Sequence, residues 1–203
     1  MTVSTLSSDR ILVSALELFS TRGYAATSVR EICEAAQITK PTLYHFFGSK
    51  EGVFQALVKG ILDGFVRQTR EIVEAPGSVE DRLKALARGH FAYALENVQV
   101  IRFLHSLLNM PGESSPPVDL VRFYERFVGL MAALVDQAVA DGLLAPGPTS
   151  VRMLVFMGAI GEAVHGYLFC KQPELTPELA DLLVETVFDG WRLAPSDQRS
   201  KKS

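Results

Sequence analysis

Residues 27–50, TSVREICEAAQITKPTLYHFFGSK, decide the fold. Ser28 followed at the third residue by Glu31 makes a capping box, and Val29, Ile32, Cys33 and Ala36 then fall on one face of a short helix. A four-residue connection through Gln37 and Ile38 leads to Thr39 as the next N-cap. Lys40 and Pro41 follow in a first helical turn, where a missing N–H costs little. Two short helices joined by so tight a turn have the length and punctuation of a helix-turn-helix.

Working outward, apolar residues recur at i, i+3 and i+4 almost throughout, and no sustained period-two alternation appears, so the chain reads as all-α. Ile11, Leu12, Ala15, Leu16 and Phe19 stripe a first helix that ends near Arg22, with Gly23 as a left-handed C-cap. Ser49 caps a fourth helix whose Phe54, Leu57, Val58, Ile61, Leu62 and Phe65 form one stripe, broken at residues 75–78, APGS. Further helices are expected at 79–95, 98–108, 117–140, 150–171 and 177–192, with separators at 110–117, 141–149 and 172–176 rich in Gly, Pro or Ser. The expected division is a helix-turn-helix domain at 1–50, a ligand-binding and dimerisation domain at 51–195, and a frayed tail at 196–203.

The chain has 203 residues, is 48% hydrophobic and carries a net charge of −3. That is too apolar for intrinsic disorder, and mildly unfavourable for a protein that coats itself in nucleic acid. The average hides an asymmetry: residues 1–70 carry eight basic and six acidic groups, the remainder twelve and seventeen. Cys33 and Cys170 are far apart with no C-x-x-C, which points away from a disulfide scaffold or zinc site and toward a reducing compartment. No secretory signal opens the chain, and apolar runs such as 153–161 stop at a charge short of a membrane span. A cytoplasmic protein without membrane attachment is expected. No H-E-x-x-H, G-x-S-x-G, P-loop or G-x-G-x-x-G is present, and the four histidines show no metal spacing. Neither an enzyme, a cofactor nor a metal is expected.

On the third helix Leu43, Phe46 and Phe47 share the side that must pack inward, leaving Pro41, Tyr44 and His45 outward, flanked by Lys40 and Thr42. That outer set suits a duplex groove: Lys and Thr can bond phosphate or base edges, and Tyr joins an apolar ring to a hydroxyl donor. Lys50, in the first turn of the next helix, is placed where its ammonium and the helix N-terminus could meet one phosphate. Spacing alone also fits a plain amphipathic helix pair. The residues themselves say more. Gly23-Tyr24, the run from Thr27 through Ile32, and the run from Lys40 through Lys50 resemble the DNA-binding domain of the TetR/AcrR transcriptional regulators, over roughly the first quarter of the chain. The resemblance implies Thr39, Lys40, Pro41, Thr42, Tyr44 and His45 as the groove-facing set and Ser28 and Lys50 as phosphate anchors. It implies Arg30 as a base or phosphate contact, the alternative being an ion pair with Glu34 at i+4. In one departure, the family's turn usually carries Gly where this sequence has Gln37, which adopts a left-handed conformation less readily.

The helix at 150–171 is apolar on two faces, one bulky (Met153, Phe156, Met157, Ile160, Val164, Tyr167) and one small (Ala159, Ala163, Gly166, Cys170). The last helix likewise presents Leu179, Leu182 and Leu183 on one side and Val184, Phe188 and Trp191 on the other. Two helices buried on both sides fit a four-helix interface between two copies, with Ala159, Ala163, Gly166, Cys170, Val184, Phe188 and Trp191 in the contact. A thick monomeric core is the other reading. The family resemblance implies the same homodimer through the last two long helices, on a palindromic double-stranded operator. It also implies a small-molecule effector that releases a repressor. Tyr93, Phe103, His105, Tyr124, Phe156, Glu162 and His165 are candidate lining residues, polar groups interrupting apolar faces. The abundant Phe, Leu and Met favour an apolar or aromatic effector. His105 also fits a purely structural role, and Glu162 and His165 a mutual pair. A thiol sensor acting through Cys170 is an alternative, and a helical enzyme a remoter one.

Overall fold

The computed structural model describes residues 3–109 and 116–192, and all regular structure among them is helical. In chain order the elements are α1 (Val3–Arg22), α2 (Val29–Ala36), α3 (Lys40–Phe47), α4 (Lys50–Val73), α5 (Val79–Glu96), α6 (Val98–Asn109), α7 (Leu120–Ala140), α8 (Thr149–Cys170) and α9 (Pro177–Asp189). The tail at 196–203 and most of the separator at 110–117 lie outside the described residues. The chain divides into two compact units, Met1–Phe65 with Asn97–Leu120, and Val66–Glu96 with Val121–Ser203.

The first unit is built on the apolar stripe of α1. Ile11, Ala15 and Phe19 are buried, as are Ile32, Cys33 and Ala36 of α2, Leu43 of α3, and Val53, Phe54, Leu57 and Val58 of α4. Phe103 of α6 completes this core: its ring lies 6.4 Å from Phe19 and 5.8 Å from Phe54, and Phe19 and Phe54 meet edge-on at 5.7 Å. Such offset and edge contacts are the preferred aromatic geometries. A single cut at residue 50 therefore misses that α6 returns to the amino-terminal unit. Phe103 is a packing residue there, fully engaged by rings of α1 and α4.

In the second unit α5 packs along α9, and α8 contacts both. Leu83, Leu86, Ala87 and Phe91 of α5, Met131, Leu134 and Val135 of α7, Met153, Phe156 and Ile160 of α8, and Ala180, Val184 and Phe188 of α9 form its core. Ion pairs edge the α5–α9 seam. Lys84 reaches Glu185 at 2.6 Å and Glu80 at 3.1 Å, Arg192 reaches Glu80 at 2.7 Å, and Arg88 pairs with Asp181. α9 starts on Thr176, whose Oγ1 accepts from the Leu179 N–H at 3.2 Å, with Pro177 next.

The helix expected to reach 192 ends at Asp189. Trp191 folds under the helix end instead: its carbonyl accepts from Ala145 N at 2.9 Å, and the Arg152 guanidinium lies 5.6 Å from its ring centroid. Four of the residues assigned to a copy-to-copy contact are spoken for within one chain, because Ala163, Val184, Phe188 and Trp191 are all buried in it. Gly166 is also explained internally, since a Cβ there would come within 2.6 Å of the Gln172 carbonyl oxygen as the chain turns back after α8. Ala159 is half-buried and Cys170 exposed. The apolar surface left open on α8 is larger-toothed: Val151, Leu154, Val155 and Phe169, with Leu182 on α9. Among the described residues α8 is the one helix long and apolar enough to cross a membrane by length and composition, and its inward side belongs to the core of the second unit.

Candidate nucleic-acid interface

The capping box that opens α2 is complete. Ser28 Oγ accepts from the Glu31 N–H at 3.3 Å, and Glu31 Oε2 accepts from the Ser28 N–H at 2.8 Å and from its hydroxyl at 2.7 Å. These bonds hold the Glu31 carboxyl below its ordinary pKa, helped by Arg22, whose guanidinium is 3.0 Å away. The Ser28 hydroxyl proton is thus committed to the cap. Arg30, exposed in the same first turn, pairs with Glu34 at 3.5 Å as the i, i+4 alternative expects.

The turn that follows is left-handed at Gln37, with φ 53° and ψ 49°. Its N–H donates to Glu34 O, and the Ile38 N–H donates to Cys33 O at 3.0 Å. Thr39 takes the extended backbone of an N-cap, but its hydroxyl pairs with Thr42 Oγ1 at 2.8 Å instead of capping the helix. Leu43 is fully buried under α3, and Phe46 and Phe47 are half-buried. Lys40, Pro41, Tyr44 and His45 are exposed together, with Tyr44 48% accessible. The ring of His45 leans edge-on against Phe46 at 5.3 Å, which limits its rotation.

A short recognition helix needs a firm seat, and α4 supplies it. Ser49 Oγ accepts from the Gly52 N–H at 3.0 Å, and a Cβ on Gly52 would come within 1.9 Å of the Phe47 carbonyl oxygen. Only glycine lets the first turn of α4 lie that close under the end of α3. Gly52 escaped the sequence reading because a Gly in a first helical turn gives no periodic signal. Lys50 is more internal than a simple phosphate anchor. Its ammonium donates to Tyr24 O at 2.9 Å and Thr27 O at 2.8 Å, and lies 4.1 Å from the centre of the Tyr24 ring. Burial there lowers the lysine's pKa and raises that of Tyr24. Two of its three donors tie the 23–28 connection to the start of α4, and one is left for a phosphate.

This arrangement is a helix-turn-helix in which a capped α2 leads to a seated α3 that offers Lys40, Pro41, Tyr44 and His45 outward, and residues 11–57 match the profile of bacterial regulatory proteins, tetR family. By this match residues 11–57 form a TetR-family DNA-binding domain. The chain is similar to the transcriptional repressor KstR2 of Mycobacterium tuberculosis, 37% identical over 81 residues, which are 40% of each chain. It is also similar to the transcriptional regulator UidR of Escherichia coli, 38% identical over 138 residues, 68% of this chain and 52% of that one. The match thus spans about two fifths of the KstR2 length and half that of UidR. Among solved structures, the fatty acid degradation regulator FadR of Bacillus halodurans superposes with TM-score 0.77 at 20% identity, covering 93% of this chain and 97% of that one. Bacillus subtilis FadR in complex with stearoyl-CoA gives 0.75 at 17% identity, covering 90% and 98%. These two likenesses concern the fold alone, and they extend over the second unit as well as the first.

The residues expected to line an effector site are divided between the two units. Phe103 and the half-buried His105 belong to the first unit. In the second, Phe156 is buried and Tyr93 half-buried, whereas Tyr124, Glu162 and His165 are exposed, the last with its ring 4.5 Å from Phe169. Besides the buried Thr69 and Arg152, the second unit draws in part of His90, whose Nδ1 is buried and whose ring is 5.7 Å from that of Phe127, itself stacked on Phe123 at 5.5 Å. Burial pushes the His90 imidazole down to about 4 and raises the Tyr93 phenol. The signal was available, since His90 continues the Leu83, Leu86, Ala87 stripe at helical spacing. The thiol alternative finds no support: Cys33 is buried with its pKa raised by burial, and Cys170 is an exposed helix-end residue.

Proposed function

We propose that the protein is a ligand-responsive transcriptional regulator that binds a near-palindromic operator as a homodimer and represses until an apolar or aromatic effector releases it. The observation that carries this reading is the outer face of α3, where Lys40, Pro41, Tyr44 and His45 stand exposed on a helix fixed from beneath by Leu43 and Gly52. Thr39, Thr42 and Lys50 frame that face, and Ser28 and Arg30 add the start of α2. Base edges are read from the α3 face, while Lys40, Lys50 and the α4 N-terminus favour phosphate.

Two copies meet through the outward stripe of α8, Val151, Leu154, Val155 and Phe169, continued by Leu182 of α9. A two-fold axis there makes the operator's half-sites one turn apart, about 34–36 Å. The apolar interior of the second unit, with the half-buried His90 and Tyr93 at its edge, favours an effector of low polarity. The stearoyl-CoA held by one structural relative is of that kind at its acyl end. Selection of bound fragments from a randomised duplex pool tests the reading: a two-fold-related pair of half-sites emerges, and enrichment of nothing but arbitrary sequence refutes it.

A further inference from the structure

We propose that Arg10 is a positioning residue for DNA recognition, a latch on α1 that holds the α2–α3 turn in the one conformation that aims α3 outward. The inference rests on the DNA-binding reading of the first unit and adds to it a residue outside the helix-turn-helix. Gln37 and Lys171 are the two non-glycine residues with positive φ among those described, and Gln37 lies at the pivot of the motif. An L side chain in this region crowds the following carbonyl and is disfavoured unless something outside the residue holds it there.

Arg10 supplies the hold. Its Nη2 donates to the Gln37 carbonyl oxygen at 3.3 Å and to the Gln37 side-chain Oε1 at 3.2 Å, so one guanidinium nitrogen binds the backbone and the side chain of the same residue. Two backbone bonds, Gln37 N–H to Glu34 O and Ile38 N–H to Cys33 O, close the turn itself, and side-chain packing adds little further restraint on this side. Asp9, Arg10, Val13 and Ser14 of α1 face Ala35, Ala36 and Gln37 across an open groove, and Val13 is 67% exposed. Apolar packing therefore does not close this side of the turn, and the arginine bridges it. The geometry gives the latch a consequence for recognition. If Gln37 relaxes from left-handed to right-handed backbone, α2 gains a residue, and Lys40, Pro41 and Tyr44 rotate away from the face they now share. Arg10 thus acts on DNA affinity through the turn, without touching DNA.

A double-mutant cycle tests this. Wild type, Arg10→Ala, Gln37→Gly and the double variant are titrated, over a range of salt, with a duplex selected from a randomised pool by the wild type. Amide hydrogen exchange at Ile38 is followed in each without DNA. Arg10→Ala is expected to bind about three- to tenfold more weakly with the same salt slope and to exchange faster at Ile38. Gln37→Gly binds like wild type, and the double variant recovers both affinity and protection, because glycine holds the left-handed turn unaided. An Arg10→Ala protein with unchanged affinity and unchanged exchange overturns the proposal. So does a double variant as weak as Arg10→Ala with a salt slope reduced by about one counterion per half-site, which makes Arg10 a direct phosphate contact. If wild type selects no duplex, the DNA-binding reading fails with everything built on it, while the exchange data still report whether the latch holds the turn.

Discussion

At the scale of single residues, the first unit shows local polar chemistry fixing where the exposed groups of α3 end up. Ser28 and Glu31 satisfy the first donors of α2, and Lys50 ties the preceding connection to α4 through two carbonyls and an aromatic ring. In the second unit the informative residue is His90. Its native pKa, about 4, lies below the ordinary 6.5, so the unfolded chain binds the extra proton. Stability is full above pH 6.5 and falls as pH drops toward 4, by at most about 3 kcal/mol. Denaturant unfolding at a series of pH values should show this slope in wild type and lose it in His90→Phe. A slope that survives the substitution assigns the titration to other groups.

At the scale of elements, α3 and α4 act as one piece because Gly52 brings them within backbone contact. Gly52→Ala should cost about 1–3 kcal/mol, since the Phe47 carbonyl must move to admit the methyl group. Thermal melts should register that loss, together with weaker duplex binding; an unchanged melting temperature would show that the seat is looser than the geometry indicates. Such elements differ in how plainly the sequence announces them. The capping box, the Gly23 cap and the stripes of α1, α2 and α4 are local patterns of period 3.6, and they stand where the spacing places them. Partner choice is not local. Phe103 reads equally well as a pocket wall or as core, and the return of α6 to α1 decides it. Val184, Phe188 and Trp191 form an apolar face in sequence, but only the end of α9 at Asp189 and the burial of Trp191 show that this face turns inward. The left-handed Gln37 was legible as a departure from the family's pattern. That α1 holds it through Arg10 was not, because the two residues lie 27 positions apart.

At the scale of the whole molecule, the net charge of −3 has an uneven source. The basic excess lies in residues 1–70 and the acidic excess in the rest, so in the proposed regulator affinity for DNA would rest on a few contacts around α3, and specificity would not compete with broad phosphate attraction. The dimer proposed above, joined through α8, would make two such sets act together. Leu154, 67% exposed in the single chain, can be changed to Glu without disturbing the core, and sedimentation should then find monomers where wild type gives dimers. Persistence of the dimer in Leu154→Glu would move the interface elsewhere. The central claim is that α3 reads DNA through its outer face, and the titration of a selected duplex with wild type and Tyr44→Ala tests it most directly. Tyr44 is exposed and supports no core, so the variant should melt with wild type while binding about tenfold or more weakly. Equal affinity in the two proteins would contradict the assignment of α3 as the recognition helix.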